Sequence, residues 1–248
     1  MIRVDPTTTR RLLTGREGPR RRIALEHAAL WGRPGFWGDH PAQPRGLVWV
    51  RQGEGQLDVF GVGEPDRAIG WLRGLNQPIA LVAPTWWEPV VRDHFGKVER
   101  SHVETWCLDL GMRWPVYPRV LVKRLSLDDQ AGFLAVAPQW ALLAWPSFTG
   151  MLAHGAAFGV TYQDKWVALA WVVERSPTSA SIGVFVREDL RRIGLGQAVG
   201  AALGSYLSEI GSTPIWVAAL SNDPSRKLAR ALGLRPVMAE PLLRVWPC

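Results

Sequence analysis

Residues 186–200 read Val-Arg-Glu-Asp-Leu-Arg-Arg-Ile-Gly-Leu-Gly-Gln-Ala-Val-Gly, and this stretch decides how the second half of the chain folds. Upstream of it, "SASIGVFV" at 179–186 is apolar and suited to a strand. Downstream, Leu195, Val199, Leu203 and Leu207 recur at i, i+4 spacing up to Gly211, which predicts a helix. The loop between them therefore delivers the positive end of a helix, with its free backbone N–H groups, to the end of a strand. That combination binds anions. Gly194 and Gly196 let an anion approach the backbone with no Cβ in the way. Arg191 and Arg192 add charged donors suited to phosphate oxygens.

The elements around this loop predict a mixed sheet. "PIWVAAL" at 214–220 is a second apolar strand, so strand, helix and strand form a right-handed crossover with the two strands parallel. "NDPSRKLARALG" follows as a helix, with Asp223 as its cap, Pro224 in its first turn and Gly233 beyond its end. "LRPVMAEPLLRVW" reads as a closing strand pair. Earlier, "VLVKRLS" reads as a strand, and "LDDQAGFLAVAPQWALLAW" as helical and interrupted at Pro138. "PSFTGMLAHG" is a short helix. A hairpin turns at Gln163 and Asp164, and its second strand is apolar on both faces, as a central strand is.

The first half has its own elements. "GLVWVR" and "QLDVFG" form a strand pair, "PDRAIGWLRGL" a helix, "PIALVAP" a strand, "TWWEPVVRDHFG" a helix and "SHVETWCLDL" a strand. "GMRWPVYPR", with two prolines and a glycine, reads as a linker. The expected organisation is α/β (α+β with a mixed sheet): a smaller α/β domain at 1–112, then a second domain at 117–248. His94, His102 and Glu104 read as scattered surface residues of the first.

Composition narrows the function. The formal charge is +7, and arginine supplies it, since Lys97, Lys123, Lys165 and Lys227 are the lysines. Apart from Arg20–Arg22, the arginines are spread along the chain, with no RNP-type motif and no helix-turn-helix, so the charge does not point to nucleic acid. It suits an anionic small ligand instead. The fourteen tryptophans are enough to anchor two cores. No apolar run has the length of a membrane span. The arginine-rich start reads as a transit peptide or as a frayed segment ahead of a helix. Cys107 and Cys248 make neither a disulfide framework nor a metal spacing, which suits a reducing cytoplasm. The five histidines form no metal-ligand pattern.

A P-loop is excluded, because no Gly-x-x-x-x-Gly-Lys-Ser/Thr occurs. "GLGQAVG" invites a dinucleotide reading. Against it stand the five residues between Val186 and Arg192, and the lack of an acidic residue ending the next strand. A plain helix start with packing glycines is the bland alternative.

Arg191-x-x-Gly194-x-Gly196 after an apolar strand resembles the acyl-CoA motif of the GNAT acetyltransferase superfamily. Downstream, Asn222, Ser225, Leu228, Ala229 and the "LGL" ending the helix resemble its second signature. The finer details look most like the zwittermicin-resistance-type GNAT family. The resemblance covers about residues 117–248 and implies a GNAT fold with splayed central strands at 179–186 and 214–220. It implies acetyl-CoA as cosubstrate, with backbone groups of Val184, Phe185 and Val186 along the pantetheine. Arg192, Ile193, Gly194, Leu195, Gly196 and Gln197 then hold the pyrophosphate, Arg191 flanks it, and Asn222 and Ser225 contact the cosubstrate from the other side. The implied reaction is direct transfer of an acetyl group to the amine of a small-molecule acceptor. The first domain helps to shape the acceptor site, and the state is monomer or homodimer.

The chain departs from that pattern in two places. Many relatives carry a tyrosine seven residues after the asparagine, where this chain has Ala229. Many carry a glutamate on a splayed strand, where this chain has Ser181. The catalytic residues are therefore open. Glu174, His154 and Tyr206 are the candidates, with a solvated strand end, a helix terminus and core packing as their plain alternatives. A binding module that holds acyl-CoA without turnover stays open as well.

Overall fold

The computed structural model describes residues 1–5, 18–30, 35–41, 43–53, 55–109 and 112–246. The arginine-rich segment 6–17, residues 110 and 111, and Cys248 lie outside the described residues. Two units divide the chain: Met1–Glu104 together with Met238–Cys248, and Thr105–Val237. The sequence reading has its two domains at 1–112 and 117–248, with "GMRWPVYPR" as the linker.

The first unit carries β1 (Ile2–Arg3), α1 (Pro19–Leu30), β2 (Phe36–Gly38), β3 (Gly46–Gln52), β4 (Leu57–Gly63), α2 (Asp66–Leu72), β5 (Ile79–Val82) and α3 (Trp87–His94). The strand β6 (Lys97–Leu108) begins there and is divided after Glu104. β1 to β4 pair antiparallel in sequence order, and β4 pairs parallel with β5. Trp49, fully buried on β3, stacks between Phe36 and Phe60 at centroid distances of 6.3 and 5.3 Å. On the opposite face Val48, Val59 and Leu81 pack with Ile69, Leu72, Trp87 and Val91 of α2 and α3. The Trp87 indole donates to the Gly63 carbonyl at 2.7 Å. Its ring lies where a Cβ at Gly61 would stand, so Gly61 has to be glycine.

The second unit carries β7 (Lys123–Arg124), a 3-10 turn at Leu127–Asp129, α4 (Gln130–Val136) and a 3-10 turn at Gln139–Leu142. Then come α5 (Phe148–His154), β8 (Ala157–Tyr162), β9 (Lys165–Arg175) and β10 (Ser179–Val186). A 3-10 turn at Glu188–Leu190, α6 (Leu195–Glu209), β11 (Thr213–Ala219) and α7 (Asp223–Ala231) complete it. Its sheet runs β11-β10-β9-β8-β7. Gln163 and Asp164 both adopt left-handed φ, 50° and 59°, as a two-residue turn matched to strand twist requires. Trp171 of β9 is fully buried. Its indole donates to the Ala141 carbonyl at 3.0 Å, and Phe133 meets its ring edge-on. α4 and the turn after it therefore cover that face of the sheet.

Alternation puts the other face of β10 against α6. A Cβ on Gly200 of α6 would lie 3.8 Å from Val184, and one on Gly196 would lie 3.3 Å from Val186. A Cβ on Gly183, between them, would instead meet the Trp171 ring on the first face at 2.9 Å. The small residues of α6 thus let the helix lie close over the sheet, and they do so on the face that Val184 and Val186 share.

Three expectations are corrected. The closing segment is one strand, β12 (Leu234–Trp246), rather than a strand pair. Proline's fixed φ is compatible with extended backbone and only removes a donor, so Pro236 and Pro241 do not end it. Its later part, Leu242–Val245, pairs antiparallel with β5 inside the first unit. "VLVKRLS" pairs only at Lys123 and Arg124, and Leu121 is 89% exposed, because extended apolar residues make a strand only where a neighbour pairs with them. The cap of α7 is Asn222, whose Oδ1 accepts from the Ser225 N–H at 3.2 Å, while Asp223 is already the first helical residue. Among the described residues no helix is long and apolar enough to cross a membrane.

Gly204 of α6 is the tightest helix contact, because a Cβ there would overlap the Trp114 indole, whose Nε1 donates to Ser208 at 3.1 Å. Gly204→Ala is expected to lower stability. Overpacking costs about 1–3 kcal/mol and outweighs the roughly 1 kcal/mol that alanine gains in a helix. Thermal unfolding measures it, and an unchanged or higher midpoint would show that Trp114 moves aside freely.

Candidate functional site

β10 and β11 lie parallel, but their ladder covers only Ser179–Ser181 against Thr213–Ile215. Beyond Ser181, β10 keeps its antiparallel register with β9 as far as Val186↔Ala168. β11 continues to Ala219. The two strands therefore part just after Ser181 and Ile215 and leave an opening between them. A register shift between Ser181 and Ile182 coincides with the parting, and an extra residue in one strand bends it at that point.

In an antiparallel ladder, alternate residues aim both backbone groups at the same neighbour. Only every second residue among Val184, Phe185 and Val186 can thus turn its N–H and C=O into the opening. Among the described residues no registered strand partner stands on that edge beyond Ser181. A backbone edge without a ladder partner fits an extended, amide-bearing chain laid along it as an added strand.

The open ends of the strands lead to the loop before α6. Arg187 and Asp189 form a forked pair at 2.7 and 2.9 Å within it. The guanidinium bonds hold the Asp189 carboxyl below its usual range, despite the opposing effect of desolvation. The other acid of the loop, Glu188, lies 3.8 Å from the Arg191 guanidinium, so both acids have a cationic partner. The Arg191 Nε donates back to the Val186 carbonyl at 3.2 Å, which ties the arginine across the loop base. Arg192 takes a left-handed φ of 67°, and Gly194, at the N-cap of α6, takes 92°. At Gly194 only glycine is unstrained. A Cβ built there would meet nothing nearer than the Gln197 side chain at 3.7 Å, so the space over the helix start is open. The N–H groups of Leu195, Gly196 and Gln197 occupy the first turn, where helix geometry offers them no partner. Arg191, Arg192 and Ile193 are exposed. These groups fit an anionic diphosphate, and the parted strands fit the linear chain attached to it.

Asn222 and Ser225 lie at the first turn of α7. The Asn222 Oδ1 is taken by the cap, which leaves its amide donors for a ligand. The Ser225 Oγ accepts the indole N–H of Trp216, on β11, at 2.9 Å. Trp216 is a feature that sequence reading passes over. Nothing in "PIWVAAL" says that its side chain reaches a serine nine residues later.

The candidates for proton transfer separate. Glu174 is fully buried on β9, opposite Ser181, so it is not a solvated strand end. The Ser181 hydroxyl accepts the Glu174 N–H at 3.1 Å, which occupies the position where a strand carboxylate was sought. The His154 carbonyl accepts from Arg175 at 2.6 Å. The Tyr206 hydroxyl accepts from Arg124 at 3.0 Å, and the same guanidinium lies 4.4 Å over its ring. Cys107 is half-buried, and burial pushes its thiol up. No group of three His, Cys, Asp or Glu side chains could hold a metal ion among the described residues.

A cleft of about 400 Å³ belongs to the first unit and is lined by Asp39, His40, Arg45, Glu64, Asp66 and Arg67 among others. It contains none of the residues the sequence singled out. Desolvation raises the Asp39 carboxyl, but N–H bonds from Gly46 and Arg45 and the nearby Arg67 charge leave it lower than usual.

Residues 136–239 match the GNAT acetyltransferase family, so the chain carries a GNAT acetyltransferase domain over that span. No curated protein gives a match. Among solved structures, a GCN5-related N-acetyltransferase-like protein from Streptococcus suis 89/1591 is 20% identical, with a TM-score of 0.73 over 97% of this chain and 99% of its own. A GCN5-related N-acetyltransferase from Kribbella flavida is 17% identical, with a TM-score of 0.67 over 94% and 97%. A putative GNAT-family acetyltransferase from Novosphingobium aromaticivorans DSM 12444 is 20% identical, with a TM-score of 0.56 over 79% and 90%. At these identities the likeness is one of fold.

The two roles open to Asn222 separate by substitution. Asn222→Ala removes the cap and costs about 1 kcal/mol of stability. Asn222→Asp keeps the capping oxygen and removes the amide donors. It is therefore expected to hold the thermal midpoint while weakening acetyl-CoA binding in calorimetry. Full affinity in Asn222→Asp would show that the side chain only caps.

Proposed function

We propose that this protein is an acetyl-CoA-dependent N-acetyltransferase that acetylates the amino group of a small-molecule acceptor by direct transfer. The observation that carries the reading is the parting of β10 and β11 after Ser181 and Ile215, with the left-handed Gly194 opening the helix start at its mouth. The family match over 136–239 supports acetyl transfer as the reaction class. The finer likeness to the zwittermicin-resistance-type family rests on the motifs alone.

On this reading the backbone of Arg192–Gln197 holds the pyrophosphate, with Arg191 beside it. Alternate groups along Val184, Phe185 and Val186 hold the pantetheine. One of their N–H groups points at the thioester oxygen and stabilises the charge that develops there. Much of the rate comes from holding two reactants in line, which is worth several kcal/mol without any side-chain base. An acyl-cysteine route is disfavoured, because a thiol raised by burial stays protonated and is a poor nucleophile.

The loop is tested by Gly194→Asp. It places a side chain and a negative charge where the pyrophosphate would sit, at a φ of 92°. Calorimetry with acetyl-CoA is expected to show at least a tenfold loss of affinity while circular dichroism is unchanged. Wild-type affinity in this variant would remove the loop from the cosubstrate site. Cys107→Ser is expected to leave thiol release with an accepted amine unchanged, and acetyl-cysteine found at Cys107 by mass spectrometry would overturn direct transfer.

A further inference from the structure

We infer that the cleft of the first unit is a binding site for a free α-amino acid, held by its carboxylate and its ammonium group. The inference goes beyond acetyl transfer and does not depend on it. It starts from a likeness between the two units. In the first, β2, β3 and β4 run antiparallel, α2 follows, β5 returns parallel to β4, and α3 comes next. In the second, β8, β9 and β10, then α6, β11 and α7, repeat that order with the same strand directions. The match extends to single hydrogen bonds. At the end of β10 the Arg187 N–H donates to the Val167 carbonyl at 2.9 Å, beside the Val186↔Ala168 pair. At the end of β4 the Glu64 N–H donates to the Arg45 carbonyl at 3.0 Å, beside the Gly63↔Gly46 pair. Gly63 therefore stands where Val186 does, and residues 64–67 stand where the loop before α6 begins.

The two openings are used differently. The β4–β5 ladder ends at Phe60↔Val82, and β4 continues alone to Gly63. The bond from Glu64 to Arg45 makes Gly63↔Gly46 a non-hydrogen-bonded pair, so the Gly63 carbonyl turns away from β3. The Trp87 indole takes that carbonyl at 2.7 Å, with its ring against Gly61. The edge that β5 leaves is thus filled by the protein itself, and no extended ligand chain lies along it. At the mouth, Glu64 and Asp66 stand where the second unit presents Arg191 and Arg192, and a diphosphate is repelled. The mouth is nonetheless a cleft of about 400 Å³, within the size range of small-molecule sites.

The cleft is framed by backbone and lined by charges that do not pair with one another. A Cβ at Gly46 would overlap the Glu64 carbonyl, and one at Gly63, with φ of 74°, the Arg45 carbonyl, so only glycine lets the two loops meet. The Asp39 Oδ1 accepts the N–H groups of Arg45 and Gly46 at 2.8 and 3.3 Å, which fixes the other rim. Arg45, Glu64, Asp66 and Arg67 line this frame and are exposed to an incoming ligand. Glu64 and Arg67 are three residues apart, the spacing at which Asp223 and Arg226 pair at 3.2 Å on α7. Yet among the described residues no salt bridge or side-chain hydrogen bond joins any of the four. A purely anionic ligand would meet the carboxylates of Asp39, Glu64 and Asp66, and a purely cationic one the guanidiniums of Arg45 and Arg67. A neutral one would desolvate both signs without answering either. A carboxylate and an ammonium on one carbon answer both, and a guanidinium receives a carboxylate in a fork. Because these acids outnumber the arginines, a basic amino acid is preferred to an acidic one.

Calorimetry on the full chain with L-arginine tests this. L-arginine should bind, and L-glutamate should bind more weakly. Agmatine, which lacks the carboxylate, and Nα-acetyl-L-arginine, which lacks the ammonium charge, should each lose about tenfold or more, the worth of one hydrogen bond to a charged group. Arg45→Gln and Glu64→Gln should each weaken L-arginine by a similar factor, with the thermal midpoint and acetyl-CoA affinity unchanged. The inference is overturned if the wild type does not bind L-arginine, or if agmatine, Nα-acetyl-L-arginine or L-glutamate binds as tightly. Full L-arginine affinity in either variant would also overturn it, since the amino acid would then sit outside this cleft. Failure to bind acetyl-CoA would remove the proposed function and leave this inference standing.

Discussion

The parallel ladder between β10 and β11 stops after Ser181 and Ile215, and the candidate site follows from that stop. A backbone edge inside a sheet has to find hydrogen-bond partners, because unpaired polar groups away from water are costly. β10 remains paired to β9 through Val186, so it cannot rotate to satisfy its other edge. Whatever enters the opening has to offer donors and acceptors at the spacing of a strand. The constraint selects an extended amide-bearing ligand before any side chain is considered.

Side chains decide how the opening is framed. On one face Trp171, fixed by its bond to Ala141 and by Phe133, fills the space beside Gly183. On the other, Gly196, Gly200 and Gly204 let α6 lie close to Val186, Val184 and Trp114 in turn. A larger residue at any of these would lift the helix from the sheet and carry its N-terminal N–H groups away from the strand ends. The glycine spacing of α6 is thus a packing device and an electrostatic one together. It sets the distance between the positive helix end and the opening.

Most of this unit was legible in the sequence, for identifiable reasons. The hairpin at Gln163 and Asp164, the strand at 179–186 and the helix stopped by Gly211 follow from local turn chemistry and short-range periodicity. The misread parts depend on partners that local sequence does not name. Leu121 is as apolar as a strand residue but has no neighbour to pair with, and it stays exposed. The segment that holds Pro236 and Pro241 reads as a strand pair, although β12 runs through both. Asp223 and Asn222 both suit a cap, and one residue of register decided between them. The placement of Glu174 was missed for the same reason. A charged residue at the end of an apolar run reads as solvated, and only the pairing with Ser181 shows that it is enclosed.

That enclosure bears on how the chemistry is shared out. Glu174 and Ser181 are a pair across the ladder, tied by the hydroxyl of one to the backbone of the other at 3.1 Å. The tie sits at the register shift, where the extra residue would otherwise leave a backbone group unpaired. The extra residue is Val173 of β9, so Ser181 ties β10 to β9 at the bulge, next to the point where β10 leaves β11. Stabilising the bend and supplying a base are competing uses of one position, and in this chain the bend has it.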